Sequence, residues 1–120
     1  MKRDMELIRE LMLAIESQDS DDNTDLEPTG YDESQIDYHL ELLIEAQLVV
    51  GEVHHMMGGN RPVMRIERLS WEGHEFLDNA SNEPVWKETM KIIADKGGST
   101  TVGVLTQLLA SVAKQHFGLS

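Results

Sequence analysis

Three observations predict a mostly helical α+β fold of the winged helix-turn-helix type, with a two-stranded wing and additional C-terminal helices. Between Ser34 and Gln47, apolar residues recur at Ile36, Leu40, Leu43 and Ile44, the one-face spacing of an α-helix. Leu48, Val49, Val50 and Val53 then shift the preference to strand; Met57-Gly58-Gly59-Asn60-Arg61-Pro62 tolerates the positive φ of a tight reversal, and Val63 to Leu69 returns. A further helical pattern follows, and helix, hairpin, helix is the order of a winged-helix core.

The chain has 120 residues, 40% of them hydrophobic, which suits one core and is too short for two. The expected division is a core over 1–80, with a degenerate acidic loop at 19–30, and a helical extension over 81–120 that packs on the core or forms a dimer seam. No apolar run approaches the roughly 18 residues of a membrane span. Met1-Lys2-Arg3-Asp4 leads into an acid-bearing amphipathic helix, unlike a signal peptide, and cysteine is absent. The expected compartment is the cytoplasm. Thiol chemistry and disulfides are excluded.

The net charge of −12 is unevenly placed. Residues 1–60 hold three Lys or Arg against fifteen Asp or Glu, whereas residues 61–120 hold seven of each, so the whole excess lies in the first half. Such acidity repels nucleic acid and anionic membranes at long range and favours basic partners.

A first helix is predicted over 4–18, with Met5, Ile8, Leu11 or Met12, and Ile15 as its core stripe. Asp19 to Asp25 is polar and acidic, and Pro28 and Gly30 punctuate its end. The acids lack the order of a calcium loop, having neither the sixth-position Gly nor the twelfth-position Glu, so the stretch reads as a solvated loop. A winged helix normally places a helix here; in this chain it must be short, irregular or missing.

The second predicted helix, 33–47, is capped by Asp32 or Ser34. Its outward side carries Ser34, Tyr38, Glu41 and Glu45, with Asp37 on the flank. As a DNA-reading helix it is poorly equipped, because Asp32 to Val50 has five acids and no Lys or Arg. Gln35, Tyr38 and His39 are its only candidate base contacts, and His39, near the apolar edge, is expected to be a packed, hydrogen-bonded residue. The strands are predicted at 48–56 and 63–69. Arg61, Arg65 and Arg68 form the densest basic cluster, fit either to grip DNA from a wing or to pair with this chain's own acids. Strict alternation puts Arg65 with Val63 and Glu67, and Arg68 with Met64 and Ile66. His54 and His55 point to opposite strand faces and cannot chelate one ion together.

A third helix is predicted at 71–79, capped by Ser70, with Trp71, His74 and Leu77 or Phe76 packing back on the hairpin. A fourth, 84–96, opens at Pro84 and stops at Gly97-Gly98. The fifth, 101–117, has a wide apolar stripe that predicts a homodimer with Leu105, Leu108, Leu109 and Val112 at the seam, the alternative being a fold back on Trp86 and Met90.

Tyr38-His39-Leu40-Glu41-Leu42-Leu43-Ile44-Glu45-Ala46-Gln47-Leu48-Val49 resembles the recognition-helix segment of bacterial winged-helix regulators, with Gln47 where they carry Gly. Leu69-Ser70-Trp71-Glu72-Gly73-His74-Glu75-Phe76-Leu77 resembles the Leu-Thr-x-x-Gly segment that follows their wing. With the opening Met1 to Arg9 and the later Val85-Trp86, the chain resembles a bacterial and phage family known only as a domain of unknown function, often in prophages. The resemblance spans nearly the whole chain and implies a winged-helix core, without an activity to transfer.

No nucleophile motif, phosphate loop or metal-ligand spacing connects the serines, histidines and acids, so no enzyme, cofactor or metal is expected. Two functional classes remain. One is a small DNA-binding or transcription-associated regulator, with Arg61, Arg65, Arg68, Gln35 and Tyr38 at the nucleic acid. The other is an acidic interaction module that binds a basic host or phage protein through Asp37, Glu41 and Glu45, without DNA.

Overall fold

The structure is a computed structural model that describes residues 1–18, 28–59 and 61–118. Among the described residues the architecture is mostly helical α+β, with α1 (Met5–Ser17), α2 (Glu33–Glu45), β1 (Val49–His54), β2 (Val63–Leu69), α3 (Trp71–Ala80), α4 (Glu83–Asp95) and α5 (Val102–His116). Each predicted element is present, with ends displaced by two residues at most. The acidic stretch Asp19 to Asp25, and most of the segment where a further short helix was in question, lie outside the described residues. The chain divides into two compact units, Met1–His74 and Glu75–Ser120, with α3 running through the boundary.

In the first unit α1 packs on α2 and β2, and α2 packs on β1. Asp4 caps α1, its carboxylate accepting from the backbone amides of Glu6 and Leu7 at 3.0 and 3.2 Å. Leu7, Ile8, Leu11, Met12 and Ile15 are buried, each side chain contributing roughly 1.5–3 kcal/mol by leaving water. His39 on α2 is fully buried and reaches across to this cap. Its Nε2 accepts the Asp4 amide at 2.8 Å, and its Nδ1–H donates to the Gln35 carbonyl at 2.8 Å. An amide can only donate and a carbonyl only accept, so the bonds fix a neutral ring protonated at Nδ1. His39 is the packed, hydrogen-bonded residue its position suggested.

α2 ends in a Schellman motif: the Leu48 amide bonds the Leu43 carbonyl at 3.1 Å and the Gln47 amide the Ile44 carbonyl at 3.0 Å. The motif demands a left-handed residue between them, and Gln47 supplies it at φ 62°. The chain then enters β1, which pairs antiparallel with β2. Register steps from Val50↔Arg68 to Gly51↔Ile66, so Glu67 is an extra residue, a β-bulge. The strands approach so closely here that a Cβ at Gly51 would lie 2.5 Å from the Arg65 carbonyl oxygen.

The bulge corrects the expected strand faces. Alternation reverses across Glu67: Ile66 and Leu69 are both buried, and Arg68 turns outward instead of sharing the core face of Ile66. Beyond it, Ser70 joins α3 to the α2–β1 junction. Its hydroxyl donates to the Gln47 carbonyl at 2.6 Å and accepts the Gly73 amide at 3.0 Å, while its own amide bonds the Leu48 carbonyl at 3.0 Å. A Cβ at position 73 would fall 2.1 Å from that Leu48 oxygen. The Leu69-Ser70-x-x-Gly73 spacing therefore makes a cap and a backbone contact that only glycine permits.

In α3 the buried residues are Gly73, Phe76, Leu77 and Ala80, one stripe at helical spacing. Trp71 and His74 were expected to pack back on the hairpin with Leu77 or Phe76, and both are exposed. Trp71 lies two positions, about 200°, from the Gly73 contact, and it is 75% exposed.

In the second unit α4 and α5 pack together. Asn82 caps α4 through the Val85 amide, and Thr101 caps α5 through the Val104 amide. Leu105, Leu109 and Val112 are buried within the single chain, as is Trp86. Of the residues expected at a dimer seam, Leu105, Leu109 and Val112 are buried and Leu108 is half-buried, while Val104 and Phe117, toward the two ends of α5, are exposed.

Candidate functional site

The capping box that starts α2 occupies one of the expected nucleic-acid contacts. Asp32 accepts the Gln35 amide at 2.8 Å, and the Gln35 Oε1 accepts the Asp32 amide at 3.1 Å. Gln35 is therefore a cap residue. Tyr38 is 36% exposed and stands edge-on to His39, with ring centroids 5.6 Å apart.

Four residues apart along α2, Glu33, Asp37 and Glu41 form an acidic stripe, and the hairpin is fastened to it. Arg61 donates through Nε and Nη2 to the two Asp37 carboxylate oxygens, both at 2.9 Å, while its Nη1 meets Glu33 at 3.1 Å. Nearer β1, His55 Nε2 meets Glu41 at 2.8 Å. Asp37 is only 8% exposed, so this forked pair is largely withdrawn from water on its acidic side. Arg61, a candidate DNA contact, is thus paired with Asp37, a candidate partner contact, while Glu41 pairs with His55. Pairing with the chain's own acids is the arrangement adopted by Arg61. Glu45, at the end of the helix, is exposed.

The bulge assembles a different surface. Directly opposed residues of an antiparallel pair share a face, so the outward side carries Glu52 opposite Arg65, His54 opposite Val63, and Val50 opposite Arg68. Arg65 also meets Glu67 at 3.3 Å, and the Arg68 Nη1 donates to the Leu69 carbonyl at 3.2 Å. Without the extra residue, Arg65 and Arg68 would point to opposite sides. His54 pairs with Glu52 at 3.3 Å, apart from His55.

Large apolar side chains are exposed on the same unit, and sequence reasoning missed them as a group. Met57, at the hairpin tip, is 95% exposed; Met56, Val63 and Trp71 are exposed with it. A signal was present, since Met56 and Met57 directly precede the glycines of a reversal, where side chains cannot turn back into a core. Elsewhere in the unit, burial holds the Tyr31 phenol above its ordinary range, reinforced by the negative charges of Asp4, Glu10 and Glu6. Among the described residues no group of three or more His, Asp or Glu is placed to hold a metal ion, and no helix is long and apolar enough to cross a membrane.

Comparison with known proteins adds a family to this geometry. Residues 2–99, from α1 through the glycine turn after α4, match the family described as hypothetical protein (DUF2513). A Haemophilus influenzae protein described as uncharacterized is 31% identical over 118 residues, covering 96% of this chain and 98% of its own length. No solved structure matches the chain. On both the family match and the near full-length relative, the chain belongs to the DUF2513 family.

Proposed function

We propose that this chain is a small non-enzymatic regulator, phage- or prophage-associated and cytoplasmic, in which a winged-helix scaffold presents the hairpin to a protein partner. The order α1, α2, β1, β2, α3, with α2 against β1 and α1 against β2, supports the winged-helix assignment. The observation that carries the functional reading is the fastening of Arg61 across Glu33 and Asp37. It commits Arg61 to the helix's own acids, and the outward side of α2, with Ser34, Tyr38 and Glu45 exposed, carries no Lys or Arg to meet a major groove. The outward side of the hairpin carries Arg65, Arg68 and Val63 beside Glu52 and His54, with the methionine tip at its end and Trp71 just beyond. Trp, Met and Arg are the residue types enriched in protein interfaces.

The test is a pull-down from an extract of the encoding bacterium, with and without nuclease, using wild type, Arg65→Ala/Arg68→Ala and Glu41→Gln/Glu45→Gln. A nuclease-resistant partner that the arginine variant loses and the amide variant keeps supports the reading; a partner released by nuclease ends it. One observation favours a second reading, as a DNA-associated regulator: the bulge sets Arg65 and Arg68 on one face, where two guanidinium groups suit a phosphate backbone. A gel shift with the same arginine variant separates the two.

A further inference from the structure

We propose that Met57, with Met56 beside it, is a reversible oxidation site for small peroxides, placed so that the sulfoxide forms and is reduced again while the fold stands. The chemistry needs nothing bound to the hairpin, so it is independent of the contact reading above. Methionine oxidation follows access to the sulfur, and the seven methionines of the chain differ steeply in access. Met57 is 95% exposed, the most exposed large apolar side chain among the described residues, and Met56 is 54% exposed. Met5, Met64 and Met90 are half-buried, and Met12 lies wholly inside the core at 0%.

Local structure builds this exposure in. β1 ends at His54, and Gly58 and Gly59, at φ 90° and 78°, turn the chain back directly after the two methionines. On one flank His55 meets Glu41 at 2.8 Å, and on the other Arg61 forks onto the two Asp37 oxygens at 2.9 Å. These ties hold both sides of the turn on α2 and leave the methionines between them in water.

Oxidation balances without a cofactor. The Met57 thioether sulfur gives an electron pair to one oxygen of hydrogen peroxide and the O–O bond breaks. The departing oxygen takes the proton of the transferred one and leaves as water, so sulfur loses two electrons and the peroxide gains them. In the return step the sulfoxide oxygen leaves as water while two thiols become a disulfide. This chain has no cysteine, so both thiols come from a separate sulfoxide reductase, which must reach the sulfur on the folded protein. At Met12 the same oxidation would set a polar S=O in the apolar core, at a large cost to folding. At the tip water solvates it, and what changes is the surface: a flexible apolar side chain becomes a polar acceptor at the end of the hairpin.

The experiment exposes the purified full chain to hydrogen peroxide at neutral pH, quenches samples over time with free methionine, and locates oxidised residues by mass-spectrometric fragmentation of proteolytic peptides. Met1, 67% exposed, reports an open sulfur in the same sample, and Met57 should keep pace with it, with Met56 next. Met12 should lag by on the order of a thousandfold, because roughly one molecule in a thousand or fewer is unfolded at any moment. Urea should erase the order. The chain oxidised at Met57 should keep the urea midpoint of the unoxidised one, and the two epimer-specific methionine sulfoxide reductases with dithiothreitol should restore its starting mass. Met57→Leu should pass the first oxidation on the hairpin to Met56. Uptake at Met12, Met64 or Met90 that matches Met57 in the folded chain overturns the site, as does Met57 falling well behind Met1. A midpoint lowered by oxidation at Met57, or a sulfoxide that the reductases remove only after unfolding, overturns its reversibility on the standing fold and with it the proposal.

Discussion

At Gln47 the backbone and the side chain disagree. The Schellman end of α2 requires a left-handed residue, and Gln47 adopts φ 62° where glycine would sit without a Cβ penalty. Gln47→Gly should therefore raise stability by about 1 kcal/mol, read as a shift in urea midpoint without a change in slope. The opposite substitution at Gly73 is expected to be severe. A methyl group there meets the Leu48 oxygen at 2.1 Å, and that oxygen is backbone already bonded to Ser70, so Gly73→Ala should part α3 from the α2–β1 junction and lower the midpoint strongly. Tyr31 gives a residue-scale pH dependence. Its phenol is raised above the ordinary value of 10.0 by burial and then by Asp4, Glu10 and Glu6, so the folded chain keeps a proton that the unfolded chain has begun to lose. Stability from this group is full below pH 10 and declines as pH rises from there through the folded-state value. Tyr31→Phe should remove that part of the alkaline decline and leave the late-titrating component of the ultraviolet phenolate signal absent.

Among the elements, the hairpin and α2 behave as one piece because Arg61 and His55 join them. The Asp37 carboxylate is nearly buried while the guanidinium is half exposed, so solvent screening limits the pair to about 1 kcal/mol of coupling in an Arg61→Ala, Asp37→Asn double-mutant cycle. A coupling near zero would mean that the fork forms without holding the hairpin. This junction also marks where sequence reasoning ran out. Helices and strands were legible because Ile36, Leu40, Leu43 and the run from Leu48 to Val53 carry period and propensity over many residues, and caps such as Asp32 and Asn82 sit where helix starts require them. The faces of β2 were not legible, since one inserted residue at Glu67 reverses every assignment beyond it and leaves no compositional mark except Gly51 across the ladder. Nor was the pairing of Arg61 with Asp37, a contact between residues 24 positions apart that depends on how the tip folds over α2. The outward exposure of Trp71 likewise follows from the Gly73 contact, which belongs to three dimensions.

For the whole molecule the governing quantities are the buried stripe of α5 and the charge of −12. Because Leu105, Leu109 and Val112 are already inside the chain, light scattering at micromolar concentrations should return the mass of one chain. Leu105→Ala should cost roughly 3 kcal/mol of stability and leave that mass unchanged. Charge decides the encounter with DNA. Of the three arginines of the hairpin, Arg61 is committed to two carboxylates, and Arg65 and Arg68 share the outward face. If they alone met phosphates, log K against log salt would fall with a slope of about −2, and the acid-rich first half would oppose even that approach. Wild type is therefore expected to give no gel shift near physiological salt and at most a weak, sequence-indifferent one at low salt, lost in Arg65→Ala/Arg68→Ala. Glu33→Gln/Glu41→Gln, which removes two acids of α2 while keeping the Arg61–Asp37 fork, should strengthen the low-salt shift. A steep slope, or discrimination among DNA sequences at physiological salt, would require cations and base contacts that α2 does not present, and would return the chain to the DNA-reading class.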